Sequence, residues 1–229
     1  MPRMVITWHG QGMIKLVGKV DQPVTLVFDP YNEKDTGLRP PRPEANAVLL
    51  SASAGSGSGS TSSSSKEANT DAFGKDAFVI SGPGEFDIKG VTIRGIPSYH
   101  DDQQGGKYGA NTIYIVRLEG ITICHLGCLG HQLSERQLSD IGDCDVLIVP
   151  VGGDRTLDGK LAASVVNKVE PRIVIPTHFA LPKLKYKIDG PEKFLKELGA
   201  DKSEPQPRLK LKKSGLPKDT IEVALLQKA

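Results

Sequence analysis

The chain has no apolar run of roughly 18 residues and no charged-then-apolar leader ending in a small-residue cleavage site. Membrane insertion and secretion are therefore not expected. Cysteine is scarce: Cys124, Cys128 and Cys144 make neither an even disulfide framework nor a CxxC pair. That excludes a disulfide-stapled secreted domain and points to a reducing cytoplasm. Charge of one sign is also lacking, because 29 Lys+Arg against 27 Asp+Glu leave a net charge of only +2. The basic excess gathers at 183–187 and 208–213 and reads as solvated surface, so no nucleic-acid partner is expected. The GxSxG elbow, the GxxxxGK[ST] loop and the GxGxxG fingerprint are all missing, which excludes the usual serine-hydrolase, P-loop and dinucleotide readings.

What is present reads as strands first and helices later. Apolar or β-branched runs predict strands at 4–8, 13–17, 24–28, 47–50, 77–80, 86–88, 91–96, 112–116 and 121–124. The strand at 24–28 stops at Asp29-Pro30, and 117–120 reads as a hairpin turn. From residue 134 the pattern alternates: helix 134–141, strand 146–149, helix 158–169, strand 172–175 and helix 191–198, ended by Gly199. In the second helix Leu161, Val165, Val166 and Val169 recur on one face. Hairpins followed by alternating units imply two sheets with helices outside, one domain over 1–229. No fixed-period repeat interrupts it.

One stretch is chemically blank. Every residue from Ser51 to Ser65 is Ser, Ala, Gly or Thr, so there is little apolar surface to bury and a flexible loop is expected over 51–66.

The residues able to carry chemistry sit at predicted strand ends, where the rim of an α/β sheet gathers active-site groups. His125 follows the strand at 121–124 and opens His125-Leu126-Gly127-Cys128; His178 follows the strand at 172–175; Asp29 closes the strand at 24–28; and His100, Asp101 and Asp102 follow the strand at 91–96. Imidazole and thiolate both suit zinc or copper, so His125, Cys128 and His178 are a candidate three-ligand set with an open position. Each also has a plainer reading, as a packed or hydrogen-bonded core residue. Cys124 and Cys144 read as core.

Taken together, Trp8-His9-Gly10-Gln11, Leu26-Val27-Phe28-Asp29-Pro30, Pro97-Ser98-Tyr99-His100, His125-Leu126-Gly127-Cys128, Val149-Pro150-Val151-Gly152-Gly153 and Pro176-Thr177-His178 resemble the metallo-β-lactamase superfamily, in particular its ascorbate-6-phosphate-lactonase-like metal-dependent hydrolases. The resemblance implies an α/β fold, the αβ/βα four-layer sandwich, with one or two metal ions between the sheet edges. It also implies an HxHxDH ligand loop after the strand at 47–50. Laid over this chain, that loop falls on Ala52, Ala54, Ser56 and Gly57, four lost ligand positions. The same resemblance places metal ligands at His125, Cys128 (an aspartate in relatives) and His178. It puts Asp29 and Gln11 behind the ligands, and His100 near substrate as a weak catalytic candidate.

From these losses the sequence predicts that native metal-dependent hydrolysis is gone and that the loop was rebuilt by engineering. The expected protein is then a dismantled hydrolase scaffold carrying at most one Zn or Cu ion on His125, Cys128 and His178, with a small molecule or metal complex in its cleft. A metal-free binding or structural protein, and a weak residual hydrolase drawing on His9, His100 or Asp102, are the alternatives. Oligomeric state is not readable.

Overall fold

The computed structural model describes residues 4–52, 73–74 and 76–229. Two sheets face each other. The first has the order β12-β1-β2-β3-β4-β5, built from β1 (Met4–Trp8), β2 (Ile14–Lys19), β3 (Pro23–Phe28), β4 (Ala47–Leu50), β5 (Phe78–Ser81) and β12 (Leu209–Leu211). The second has the order β13-β11-β10-β9-β8-β7-β6, from β6 (Gly84–Ile88), β7 (Val91–Tyr99), β8 (Ala110–Leu118), β9 (Ile121–His125), β10 (Val146–Pro150), β11 (Ile173–Thr177) and β13 (Glu222–Val223). With its outer layers this is the expected αβ/βα sandwich.

Period-two burial explains the layers. In β4, Ala47 and Leu49 enter the large core between the sheets, whereas Val48 and Leu50 enter a second cluster with Met13, Val27, Tyr31, Leu38 and Phe73 on the outer face. A strand covered on both faces has no solvated side, which is why Ala47–Leu50 is uniformly apolar rather than alternating. Across the sandwich, the Tyr114 hydroxyl on β8 donates to the Leu50 carbonyl at 2.8 Å, so this buried phenol ties the two sheets.

A short α1 (Glu33–Thr36) follows β3, and the outer helices over the second sheet begin where their caps dictate. In α2 (Glu135–Ile141), the Ser134 hydroxyl accepts from the Gln137 amide and the Gln137 side chain reaches back to the Ser134 amide, a reciprocal cap. In α3 (Gly159–Val169), the Asp158 carboxylate accepts from Lys160 and Leu161 amides at 2.9 and 2.8 Å, and Lys193 reaches it from the first turn of α4 (Glu192–Glu197). The buried face of α3 differs from the predicted stripe. Val165 and Val166 are buried with Ala162 and Ala163, whereas Leu161 is 42% exposed. Small alanines let the helix lie close to its neighbours and turn Leu161 outward.

The basic stretch at 208–213 is also more than solvated surface. Leu209–Leu211 adds β12 to the edge of β1, and the Lys213 ammonium lies 2.7 Å from the buried Asp145 carboxylate. Asp145 also accepts from the Thr122 amide at 2.9 Å and faces Arg172 at 3.2 Å, so one carboxylate joins β9, β10 and β11 at the edge away from the histidines.

Replacing the α3 cap, Asp158→Ala, should lower unfolding free energy by about 1 kcal/mol with the fold retained. A urea denaturation curve with an unchanged midpoint would refute that assignment.

Candidate active site

One rim of the sandwich collects the strand-end loops, and the local sequence explains how each is set. After β3, Asp29 turns at φ 41°, and its carboxylate accepts from the Ser51 amide and the Ser51 hydroxyl, both at 2.7 Å. Burial pushes the Asp29 carboxyl up, against the opposing pull of His125 and of the two Ser51 bonds. In the β1–β2 turn, Gln11 sits at φ 47°. Its carbonyl accepts from the His178 amide and from Trp8 Nε1, its side-chain nitrogen donates to the Phe179 carbonyl, and its side-chain oxygen accepts from the Tyr186 hydroxyl. Asp29 and Gln11 therefore hold the frame and touch the rim from behind.

Glycines let the loops close in. A Cβ on Gly130 would collide with the His100 carbonyl, and one on Gly152 with the His178 carbonyl. The loop after β9 and the loop after β10 thus press on the backbones of the two histidines.

His125 is used up by the fold. Its Nδ1 accepts from the Gly127 amide at 3.0 Å, so the proton lies on Nε2, which bonds the Gly12 carbonyl at 3.2 Å. The ring stacks on Phe28 at 4.8 Å, and burial holds its pKa below the ordinary value, opposed by Asp29. With both nitrogens engaged, the 3.8 Å approach to Asp29 is a contact of a neutral ring, and no lone pair is left for a metal. The expected ligand role of His125 gives way to its plainer reading. Cys128 is buried in the adjoining loop, its amide donating to Asn111 Oδ1 at 2.8 Å. Among the described residues, no three His, Cys, Asp or Glu side chains come together in a metal cage, so His125, Cys128 and His178 do not form the expected set.

The open valences lie elsewhere. Besides buried His9, neither of whose ring nitrogens has a hydrogen-bond partner, His100 and His178 are both buried, and each has a ring nitrogen, Nδ1, without one. Burial lowers both to about 4, and the charge of His100 lowers His178 further, so the rings share one electrostatic neighbourhood and are neutral at pH 7. His178 is held at φ 51°, a strained backbone of the kind that gathers at working sites. The sequence places His100 after the strand predicted at 91–96; in the structure β7 runs on to Tyr99, so His100 stands directly at its end.

Of the four lost ligand positions, Ala54, Ser56 and Gly57 lie outside the described residues, as does most of the expected loop at 51–66. Ala52 is described: it is buried and bridges to Asn111, presenting only a methyl group.

The model of the β-lactamase superfamily domain matches residues 5–178, from the first strand to the last rim histidine. The chain belongs to this superfamily. A protein from Thermotoga maritima, described as a Zn-dependent hydrolase of the metallo-β-lactamase superfamily, is similar at 31% identity and TM-score 0.74, over 98% of this chain and 100% of that one. A metal-dependent hydrolase of Thermococcus kodakarensis is 35% identical over 126 residues, 53% of this chain. That match spans about half the relative's length (54%), whereas a metal-dependent hydrolase of Thermoplasma acidophilum, 23% identical, is matched over 84% of its length.

This concordance corrects the expectation that hydrolysis is lost. That expectation rested on the register of one loop, three of whose four positions are not described, whereas relatives matched along the superfamily domain are consistently named as metal-dependent hydrolases.

Two measurements check the assignments at this rim. His125→Ala should cost roughly 3 kcal/mol of stability, through two buried hydrogen bonds and a stacked ring, and leave metal affinity unchanged; weakened metal binding in a folded variant would return His125 to the ligand set. His9, buried beside Lys15 and Lys228, has its pKa lowered from 6.5 to about 4, first by burial and then by Lys15. Between those values the unfolded chain binds the extra proton, so the His9 contribution is complete above pH 6.5 and is lost as pH falls toward 4. His9→Phe should flatten that decline by about 1–3 kcal/mol, and parallel curves for the two proteins would refute the assignment.

Proposed function

We propose that the protein is a metal-dependent hydrolase that holds a single ion on His100 and His178. The observation that carries this reading is the pair of buried, unpartnered Nδ1 atoms on two rings in one electrostatic neighbourhood. Unpaired buried nitrogens are costly, and a cation offers them a partner. Both rings are neutral at pH 7, so their lone pairs are free without loss of a proton. Two donors fit one borderline ion such as zinc and leave coordination positions for water and substrate. They do not fit a two-metal site built from the described residues.

A bound ion supplies Lewis acidity, polarising a carbonyl or phosphoryl group and making water a better nucleophile at neutral pH. The chain's own contribution is placement. Gly130 and Gly152 let the loops close on His100 and His178, Gln11 fixes the His178 backbone, and the Asp29–Ser51 pair fixes the start of the segment after β4. Burial keeps both rings from protonating above about pH 4, so the ligands stay competent through the neutral range. Esters, lactones and phosphoesters are the proposed substrate class, with the reaction in a reducing cytoplasm where the unpaired cysteines persist.

Metal-free protein titrated separately with Zn(II), Mn(II) and Cu(II), then analysed for bound metal, should retain one equivalent. Metal should stimulate hydrolysis of a panel of chromogenic carboxylic esters, lactones and phosphodiesters. His100→Ala and His178→Ala should each weaken binding at least tenfold and remove the stimulated rate, whereas Cys128→Ser should leave both unchanged. Equal metal binding by the double histidine variant would sink the proposal, and so would a wild-type protein that retains none.

A further inference from the structure

Two turns on the rim each bring a cation to one aromatic ring. The first runs from Asp101 to Gly109. The buried Asp101 carboxylate accepts from the amides of Gln103 and Gly105, both at 2.9 Å, and from those of Lys107 at 3.0 Å and Tyr108 at 2.6 Å. Four such bonds fix the backbone at Lys107 and Tyr108 and use nearly all the acceptor capacity of the carboxylate. The second turn follows β10. There the Gly153 amide donates to the Leu157 carbonyl at 3.0 Å, and the Thr156 amide and hydroxyl return to the Gly153 carbonyl at 3.1 and 3.2 Å. The Leu157 amide ties this turn to the Leu129 carbonyl at 2.9 Å, and Arg155 stands at its tip.

Both cations end on Tyr108. The Lys107 ammonium lies 4.6 Å from the centre of the ring and the Arg155 guanidinium carbon 5.3 Å. The same ring packs edge to face with His100 at 5.9 Å, so each cation is one aromatic ring removed from the imidazole. Neither turn needs these two side chains in order to close, since its backbone bonds and Asp101 already hold it. Attraction to a π face directs a cation without consuming its N–H groups. The Arg155 side chain is three-quarters buried, and its Nε stands 3.7 Å from the exposed Asp154 carboxylate. A guanidinium carries five N–H groups in a planar fork and can hold a second oxyanion beside the first. Of the other acids on these turns, Asp101 is spent on its four amides and Asp102 faces water.

We infer that Lys107 and Arg155 form an oxyanion site on the Tyr108 ring beside His100, which takes a carboxylate or phosphate group that the substrate carries away from the bond to be cleaved. That this anion belongs to a substrate rests on the proposed function; the oxyanion site itself stands on the metal-free fold.

Metal-free wild type, titrated separately with monomethyl adipate and with inorganic phosphate, should give saturable backbone-amide shifts at 107–109 and 153–157 with at least one of them. Arg155→Gln should weaken that binding about tenfold or more, and adding Lys107→Gln should weaken it further. Asp154→Asn keeps a side chain that tolerates the left-handed turn at φ 58° and removes the competing carboxylate, so it should tighten binding severalfold. This variant decides the matter should Arg155→Gln fail to fold. In the zinc-loaded protein, kcat/KM for 4-nitrophenyl hexanoate should rise about tenfold or more when the far end of the chain carries a carboxylate or a phosphate, mainly through KM, and Arg155→Gln should bring that ratio toward one. No saturable shift with either anion, equal binding by wild type and folded Arg155→Gln, no gain in Asp154→Asn, or a wild-type ratio near one for both anionic esters overturns the inference. Oxyanion binding that follows these variants, in a protein without metal-stimulated hydrolysis, overturns the proposed function and upholds the site.

Discussion

The rim depends on one buried carboxylate. Asp29 closes β3, and by accepting both the amide and hydroxyl of Ser51 it joins the ends of β3 and β4 into one platform. Against it lies neutral His125, which bonds the Gly12 carbonyl on the first sheet's side and the Gly127 amide on the second. A buried carboxylate without donors would carry a desolvation cost of several kcal/mol. Here two short bonds meet that cost, and the position of Ser51 follows. Gly127 is required at the same place, because a side chain there would run into Ser51 and into Asn111. The seam between the sheets, the seat of the loop after β9 and the entry to the segment after β4 are therefore consequences of one charge.

The fold was legible because its strands announce themselves by composition and its helices by their caps. Val24–Phe28 ends at Asp29-Pro30, Ala47–Leu50 is apolar throughout because it is covered twice, and Ser134 and Asp158 stand where helices begin. Two features needed the third dimension. Leu161 fits a helical stripe, yet the closeness gained through Ala162 and Ala163 rotates the burial away from it. β12 was hidden by charge: Leu209 and Leu211 alternate with lysines as an edge strand should, but the surrounding basic run gave the stronger impression of open surface.

The site was legible by residue type and not by role. His125, Cys128 and His178 share one rim as strand-end reasoning expects, but sequence spacing carries no information on which ring nitrogen is already spent. His125 meets its needs with Gly12 and Gly127, neighbours 113 and two positions away. His100 was undervalued for the converse reason. It belongs with His178 through burial and an unfilled nitrogen, properties that exist only once β7 and β11 lie in the same sheet.

Strain follows the same line. Gln11, Asp29 and His178 adopt left-handed backbones without being glycine, and all three stand on this rim. Such conformations cost on the order of 1–3 kcal/mol each and persist where surrounding bonds overdetermine them. Asp29 has Ser51, Gln11 has Trp8, Phe179 and Tyr186, and His178 has the Gln11 carbonyl. The strain at each residue is thus held by its own bonds, for His178 by the one from its amide to Gln11. A packed core histidine needs no such support, since burial against apolar neighbours would hold it with a relaxed backbone. The support is accounted for if the direction of the ring matters, and a ring whose direction matters while its nitrogen stays bare is arranged to receive something.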